Sequence, residues 1–186
     1  MKKLLIVVVV IAAVALPLFA QSVVEKKSLS FNGASQTFFQ LTGGLDFDWQ
    51  TQNSVQSRGA GFRIGADCYL KNGVDLGLDL SLVTMTDRAI NKGPGLFRAV
   101  HAVGYHFNLG HEAIMRLKAG VGAELRLNEG KADFRLTTQA GTAVYLRMTD
   151  AIAMEFGCTG YVTFPKSGET GVAITVSPGF GLSFTL

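Results

Sequence analysis

From about residue 36 onward, apolar and polar residues alternate along the chain with a period of two. This alternation is typical of β-strands whose two faces meet different surroundings. Turn signals between the alternating runs divide the chain into eight segments. Their approximate bounds are 36–49, 59–70, 74–82, 96–109, 115–127, 134–148, 152–164 and 172–186.

The charged side chains of these segments all fall on the same face, and seven are acidic and seven basic. The opposite face is almost purely apolar, as hydrocarbon requires. A closed, narrow lumen requires balanced charges, because an unpaired buried charge costs several kcal/mol. We therefore predict a lumenal charge network with a structural role. Its members are Asp46, Asp48, Arg63, Asp67, Asp75, Asp79, Arg98, Arg116, Lys118, Glu124, Arg126, Arg135, Arg147 and Glu155.

The connections between the segments alternate in length. Those after segments two, four and six are short, whereas those after one, three, five and seven are longer and polar, at about 50–58, 85–95, 128–133 and 165–170. Eight strands joined in this way bring both chain ends to one rim, where the first and last strands pair and leave no edge. The sequence thus predicts an all-β fold, a closed antiparallel eight-stranded transmembrane β-barrel in up-and-down meander order.

The first 35 residues differ from the rest. Lys2 and Lys3 precede an apolar run at 4–15, and Ala20 fits the last residue before a cleavage site. This order predicts a secretory signal peptide at 1–20, with an uncleaved helical anchor as the alternative. The polar stretch 21–35 is expected to be a flexible N-terminal lead. The barrel then occupies residues 36–186.

Composition excludes several other classes of protein. Charged residues make up 17% of the chain, yet after residue 20 no apolar run approaches the ~20 residues of a membrane helix. The net charge of +3 falls to +1 without Lys2 and Lys3, which argues against nucleic-acid binding. Two cysteines without a CxxC spacing, and three histidines spaced by five, form no metal-binding pattern. We expect neither a metal nor another cofactor.

In these features the chain resembles the small outer-membrane barrels of the OmpA, OmpX and OmpW kind. The resemblance covers about residues 36–186 and includes the apolar last strand, although Leu186 stands where that family commonly has an aromatic residue. It implies secretion across the inner membrane, residence in the cell outer membrane among its lipids, and recognition of the C-terminal strand by the barrel-assembly machinery.

For function, the resemblance implies a structural, envelope-anchoring or surface-interaction role, with an unidentified loop ligand. The alternative is a narrow channel or transporter for small solutes, including apolar ones, as in OmpW-like barrels. A third class is the lipid A-modifying barrel enzyme, whose deacylase type carries a His-x-Ser pair on the lipid face. No serine lies two residues from any histidine of this chain, so we expect no enzyme.

Four finer expectations concern individual positions. His101 should face lipid near a rim, and Pro178 should remove one ladder hydrogen bond without changing the register. Asp46 with Arg63, and Tyr145 with Glu155, should pair across neighbouring strands. Aromatic residues near segment ends should form interfacial girdles, and inward glycines should make room for long Arg and Lys chains. The aromatic residues are Phe39, Trp49, Phe62, Phe97, Phe107, Phe134, Phe164 and Phe184, and the glycines are Gly44, Gly65, Gly77, Gly104, Gly120, Gly122 and Gly157.

Overall fold

A computed structural model of the protein describes residues 38–70, 73–87, 93–109, 113–128 and 131–186. The predicted signal peptide and N-terminal lead lie outside the described residues. The strands are β1 (Phe38–Gln52), β2 (Val55–Tyr69), β3 (Val74–Asp87), β4 (Gly95–Asn108), β5 (Ala113–Asn128), β6 (Lys131–Arg147), β7 (Ile152–Thr163) and β8 (Ala173–Thr185). The part of the chain that the structure describes contains no helix long and apolar enough to cross a membrane.

The eight strands form one closed ring, so the predicted antiparallel meander barrel is confirmed. Each strand pairs with its neighbours in sequence, and β1 also pairs with β8. The backbone N–H of Leu186 donates to the carbonyl of Phe39 at 2.9 Å, which ties the residue after β8 to the start of β1. We call the rim that holds these two residues the terminal rim. The opposite rim, which holds the β1–β2 turn and the β7–β8 loop, is the loop rim.

The register of the ladders sets the tilt of the strands. Directly opposed residues, followed once around the ring from Gln40, lead back to β1 at Gln50, ten residues further along the same strand. An eight-stranded ring with this offset has strands tilted by about 40° and a lumen just wide enough to be filled by side chains. The path runs through Gln40, Asp67, Gly77, Ala102, Gly120, Gln139, Tyr161, Thr175 and Gln50.

Side-chain burial alternates along the strands with the predicted period of two. On β7, Ala153 and Glu155 are buried in the lumen, whereas Met154 and Phe156 are exposed on the outer surface. The exposed face of the ring carries the large apolar side chains, and the lumen carries most of the charged and hydroxyl-bearing ones. Hydrocarbon outside and polar packing inside explain this inversion of the usual soluble pattern.

Two of the predicted long loops are wrong, because the strands continue through them. β1 and β2 are joined by Asn53 and Ser54 alone, at φ values of 49° and 65°. Two consecutive positive φ angles fit a tight hairpin turn that matches the strand twist. β5 and β6 likewise pair as far as Asn128 opposite Lys131. Residues 50–58 are mostly polar on both faces, so the hydrophobic alternation fades there although the hydrogen-bonded ladder continues.

Aromatic residues lie toward both rims, with one exception among those predicted. Phe62 is the central residue of β2, opposite Leu45 and Leu82, so its assignment to a girdle is wrong. Trp49 lies ten residues after Phe39, and at this strand tilt that separation spans about 25 Å in height. This is the height of the apolar band in outer-membrane barrels. The terminal rim has Phe39, Phe107 and Phe184, and the side toward the loop rim has Trp49, Phe97, Phe134 and Phe164.

Pro178 interrupts one ladder and leaves the register unchanged, as predicted. β8 pairs with β7 without a shift, and Pro178 lies directly opposite Cys158. Against β1, pairing stops after Asp46–Gly179 and resumes at Trp49–Val176 with the same offset. The missing N–H of proline therefore weakens the β1–β8 seam and not the β7–β8 ladder.

The positions of the two cysteines test the strand order. Cys68 on β2 and Cys158 on β7 have outward positions, with β1 and β8 between them. Three strand spacings of ~4.8 Å hold their Cα atoms about 14 Å apart, beyond the roughly 7 Å that a disulfide allows. We expect both thiols to stay free under oxidising conditions and to react with a membrane-permeant maleimide. A charged maleimide should label Cys68 faster, since it lies next to the end of β2. An intramolecular disulfide in the folded protein would contradict this ring.

Candidate functional site: the lumen and the lipid-facing belt

The lumen is the chief concentration of charged side chains. Twelve of the fourteen residues predicted for the charge network are buried there. Arg126 and Arg147 are only part-buried, near the loop rim and the terminal rim respectively. The buried twelve are Asp46, Asp48, Arg63, Asp67, Asp75, Asp79, Arg98, Arg116, Lys118, Glu124, Arg135 and Glu155.

Nearest the terminal rim, Arg116 on β5 bridges two carboxylates. Its Nη2 and Nη1 donate to the two oxygens of Asp67 on β2, at 2.7 and 3.0 Å. Its Nε donates to Asp75 on β3 at 3.1 Å, so the guanidinium reaches past the intervening β4. The buried Tyr69 ring lies beside it, 5.9 Å from Cζ to the ring centroid. A planar fork with five donors can serve two carboxylates at once.

The middle of the lumen holds two further ion-pair groups. Arg63 donates from Nε to Asp46 at 3.2 Å, which confirms the predicted pair, and from Nη1 to Glu155 on β7 at 3.0 Å. Lys118 on β5 lies 2.6 Å from Asp79 on β3, and Gln139 on β6 donates to the same carboxylate oxygen at 2.8 Å. Apart from Arg63–Asp46, these contacts join strands that are not neighbours in the ring. The second predicted pair has the expected register, because Tyr145 lies directly opposite Glu155 on β7.

Toward the loop rim, Arg98 on β4 spans the lumen. Its Nη1 donates to Asp48 on β1 at 2.6 Å, and its Nε donates to Glu124 on the adjacent β5 at 2.8 Å. The ring of Tyr161 on β7 lies under the guanidinium, 4.4 Å from Cζ to the centroid. This cation–π contact was not predicted from the sequence, although the alternation along β7 does place Tyr161 on the inward face. Arg98 and its partners thus link four strands.

The β7–β8 loop is held down at the loop rim. Arg135 on β6 lies 2.7 Å from Glu169 of this loop. On the other side, the side-chain amide of Asn53 donates to the carbonyl of Thr170 at 3.0 Å. Between them, Arg126 donates to Gln52 at 2.8 Å. These contacts fasten the loop to the β1–β2 hairpin and to β6.

Inward glycines make room for carboxylates, so the expectation that they accommodate long basic chains is wrong at several positions. A Cβ at Gly77 would collide with the carboxylate of Asp67, and a Cβ at Gly104 with that of Asp75. Gly179 leaves space for Asp46 in the same way. These three glycines stand beside short acidic side chains, whereas a Cβ at Gly44 or Gly122 would meet the backbone of the neighbouring strand.

No lumenal carboxylate is left without a cation: each of the seven acidic network residues forms an ion pair with Arg or Lys. Across the described ranges, no group of three or more His, Cys, Asp or Glu side chains is placed to hold a metal ion. The arrangement is that of an ion-paired core, in which the twelve buried network residues are seven acidic and five basic.

On the outer surface, His101 lies at mid-depth, so its expected place near a rim is wrong. It is exposed and directly opposed by Leu78 on one side and Val121 on the other. Depth in a tilted ring depends on the offset between strands, which the sequence of one strand does not reveal. The imidazole thus faces the middle of the apolar belt.

Two solved structures share this architecture at low sequence identity. Neisserial surface protein A has a TM-score of 0.67 and 14% identity, over 80% of this chain and 97% of its own. Ail, the attachment invasion locus protein of Yersinia pestis, has a TM-score of 0.50 and 11% identity, over 80% of this chain and 99% of its own. No protein-family model and no curated protein matches the chain. The chain therefore has the fold of the small eight-stranded transmembrane barrels found in outer membranes.

Breaking one arginine bridge should destabilise the barrel strongly. Arg116→Met leaves Asp67 and Asp75 buried without their cation, and we expect a loss of about 3–5 kcal/mol in the free energy of unfolding. The matched control is Arg147→Met, which removes a more exposed ion pair with Asp150 and should cost less than about 1 kcal/mol. Urea unfolding in lipid vesicles, followed by the fluorescence of the single tryptophan, measures both. Equal losses would contradict a buried network.

Two substitutions at one depth should have opposite signs. Leu78→Arg puts a charge at the middle of the apolar belt and should lower the free energy of unfolding by about 2–4 kcal/mol. His101→Leu removes a polar group from the same level and should raise it by about 1 kcal/mol. The two residues are directly opposed on neighbouring strands, so at a tilt of about 40° their depths differ by only about 3 Å. If both substitutions destabilise the protein alike, this face does not contact lipid.

Proposed function

We propose that this chain is an integral outer-membrane barrel that acts through its outer surfaces, in a structural, envelope-anchoring or surface-interaction role. The observation that supports this proposal is the obstruction of the lumen. Arg116, Arg63 and Arg98 cross it at successive levels, and each is held by two buried carboxylates. Solutes would have to break several of these pairs to pass.

The proposed location is supported by the outer surface of the ring. Its apolar belt is about 25 Å high with aromatic residues at both ends, which suits an outer membrane. A secretory signal peptide, predicted at 1–20, would bring the chain there. In the proposed orientation the terminal rim faces the periplasm, where the C-terminal strand would meet the assembly machinery. The loop rim then faces outward.

The same features weigh against the other two functions. A narrow channel needs a continuous open path, but Arg116, Arg63 and Arg98 cross the lumen, and toward the loop rim Arg126 on β5 donates to Gln52 on β1. An enzyme needs a free acid, base or nucleophile, but each of the seven lumenal carboxylates is held in an ion pair. His101, mid-way down the apolar face, has Leu78 and Val121 as its directly opposed neighbours.

Recording from planar bilayers tests the proposal. We expect the refolded mature protein, at known incorporation, to give no discrete conductance steps. Incorporation is verified independently by the shift in gel mobility between unboiled and boiled samples, because a closed ring has no strand edge from which to open in cold detergent. Stable unitary currents from a preparation that passes this check would contradict the closed lumen and support the channel.

A further inference from the structure

Arg58 differs from every other charged residue of the described strands, because it alone has an outward position. It lies on β2 between Ser57 and Gly59, which have lumenal parity, and its side chain is exposed. Its directly opposed residues are Trp49 on β1 and Thr86 on β3. A charge on the lipid-facing surface costs little only near the interface, and this position beside Trp49 is at that level.

The outer surface around Arg58 is polar, in contrast to the rest of the ring at this height. The outward positions next to Arg58 on β1, β2 and β3 carry three threonines, one glutamine and one tryptophan, and none of these outward residues is acidic. On β4 to β8 the outward residues near the loop rim are apolar, among them Phe97, Leu125, Phe134, Phe164 and Ile174. We call the polar group the Arg58 patch: Trp49, Thr51, Gln56, Arg58, Thr84 and Thr86, all exposed.

The register makes this group one continuous surface. Trp49 is opposed by Arg58 and Thr51 by Gln56 across the β1–β2 ladder. Thr86 is opposed by Arg58, and Thr84 by the small Ala60, across the β2–β3 ladder. With strands ~4.8 Å apart, the patch is about 10 Å wide, broader than a single phosphate group.

We propose that the Arg58 patch binds the phosphorylated sugar headgroup of a glycolipid in the outer leaflet. The inference rests on the proposed outer-membrane location with the loop rim outward. The guanidinium fork matches phosphate geometry. The threonine hydroxyls and the Gln56 amide supply donors and acceptors for sugar hydroxyls. The Trp49 indole packs its apolar face against the sugar–acyl boundary while its N–H stays in the polar layer.

A lipid that offers only a phosphate would use Arg58 and leave the rest of the patch without a role. The chemistry therefore distinguishes two kinds of headgroup. A phosphorylated sugar should bind more tightly than a simple phosphodiester such as that of phosphatidylglycerol, and more tightly than the same glycolipid without its phosphates.

Trp49 provides the readout, because it is the single tryptophan of the chain and lies in the patch. The refolded protein in neutral detergent is titrated with diphosphoryl lipid A, dephosphorylated lipid A and phosphatidylglycerol, and the tryptophan emission is followed. We expect diphosphoryl lipid A to bind about tenfold more tightly than either of the others, the scale of one charge-assisted hydrogen bond.

Three variants test the assignment of residues. Arg58→Gln should weaken binding of diphosphoryl lipid A about tenfold. Lys131→Gln removes one exposed positive charge at the loop-rim end of β6, outside the patch, and should leave binding unchanged. The double variant Thr84→Val with Thr86→Val should weaken binding of lipid A while leaving that of phosphatidylglycerol unchanged. Each protein must first show the gel-mobility shift of the folded barrel.

Specific outcomes would overturn the inference. Binding by Arg58→Gln equal to wild type, or an equal loss in Lys131→Gln, would exclude a site at Arg58. Equal affinity for lipid A and phosphatidylglycerol would exclude recognition of the sugar. The proposed function fails on different observations, namely unitary currents or fractionation of the native protein with the inner membrane. Suppose that the protein gives no unitary currents, fractionates with the outer membrane, and binds lipid A equally well with or without Arg58→Gln. That result would contradict this inference and leave the proposed function intact.

Discussion

Closure of the eight-stranded ring with an offset of ten residues is the constraint on which the rest of the structure depends. In hydrocarbon every backbone N–H and C=O has to be paired within the protein, and a closed ring achieves this. A ring of only eight strands is also so narrow that side chains from distant strands meet. Asp48 on β1 and Arg98 on β4 are in contact for this reason. Volume and charge inside the ring therefore have to balance together.

Glycine and arginine are the two residue types that allow both the volume and the charge of the lumenal side chains to be accommodated. Each bridging arginine donates to two carboxylates, so fewer long basic side chains have to be accommodated than one-to-one pairing would need. The carboxylates at Asp67 and Asp75 in turn fit only because Gly77 and Gly104 lack a Cβ. Substitution of an inward glycine would act first on an acidic side chain and then, through it, on Arg116. Volume and electrostatics are coupled in this core.

The alternation of apolar and polar residues was sufficient to predict the strands, the ring order and the lumenal face, because each follows from a period that the chain itself displays. Pairs on adjacent strands, such as Asp46 with Arg63, were also within reach. The second carboxylate partner of each arginine could not be predicted, since a contact such as Arg98–Asp48 depends on the offset of the whole ring. Arg58 was assigned to a loop because hydrophobic contrast fades where both faces are polar. Continuing the parity of Phe62 and Ala60 back along β2 would have placed it outward.

The hydrogen bond between Leu186 and Phe39 has a consequence for how the chain is ordered. Once it has formed, the ring has no first strand, and the native pairings would be the same if the ends were joined and the chain were cut at another connection. The β1–β8 ladder is the seam only because these are the first and last strands along the chain. That seam is also the ladder that Pro178 interrupts, so the pairing that closes the ring is the one with a gap. The pairings of the closed barrel therefore do not depend on which strand comes first along the chain, whereas the position of the seam does.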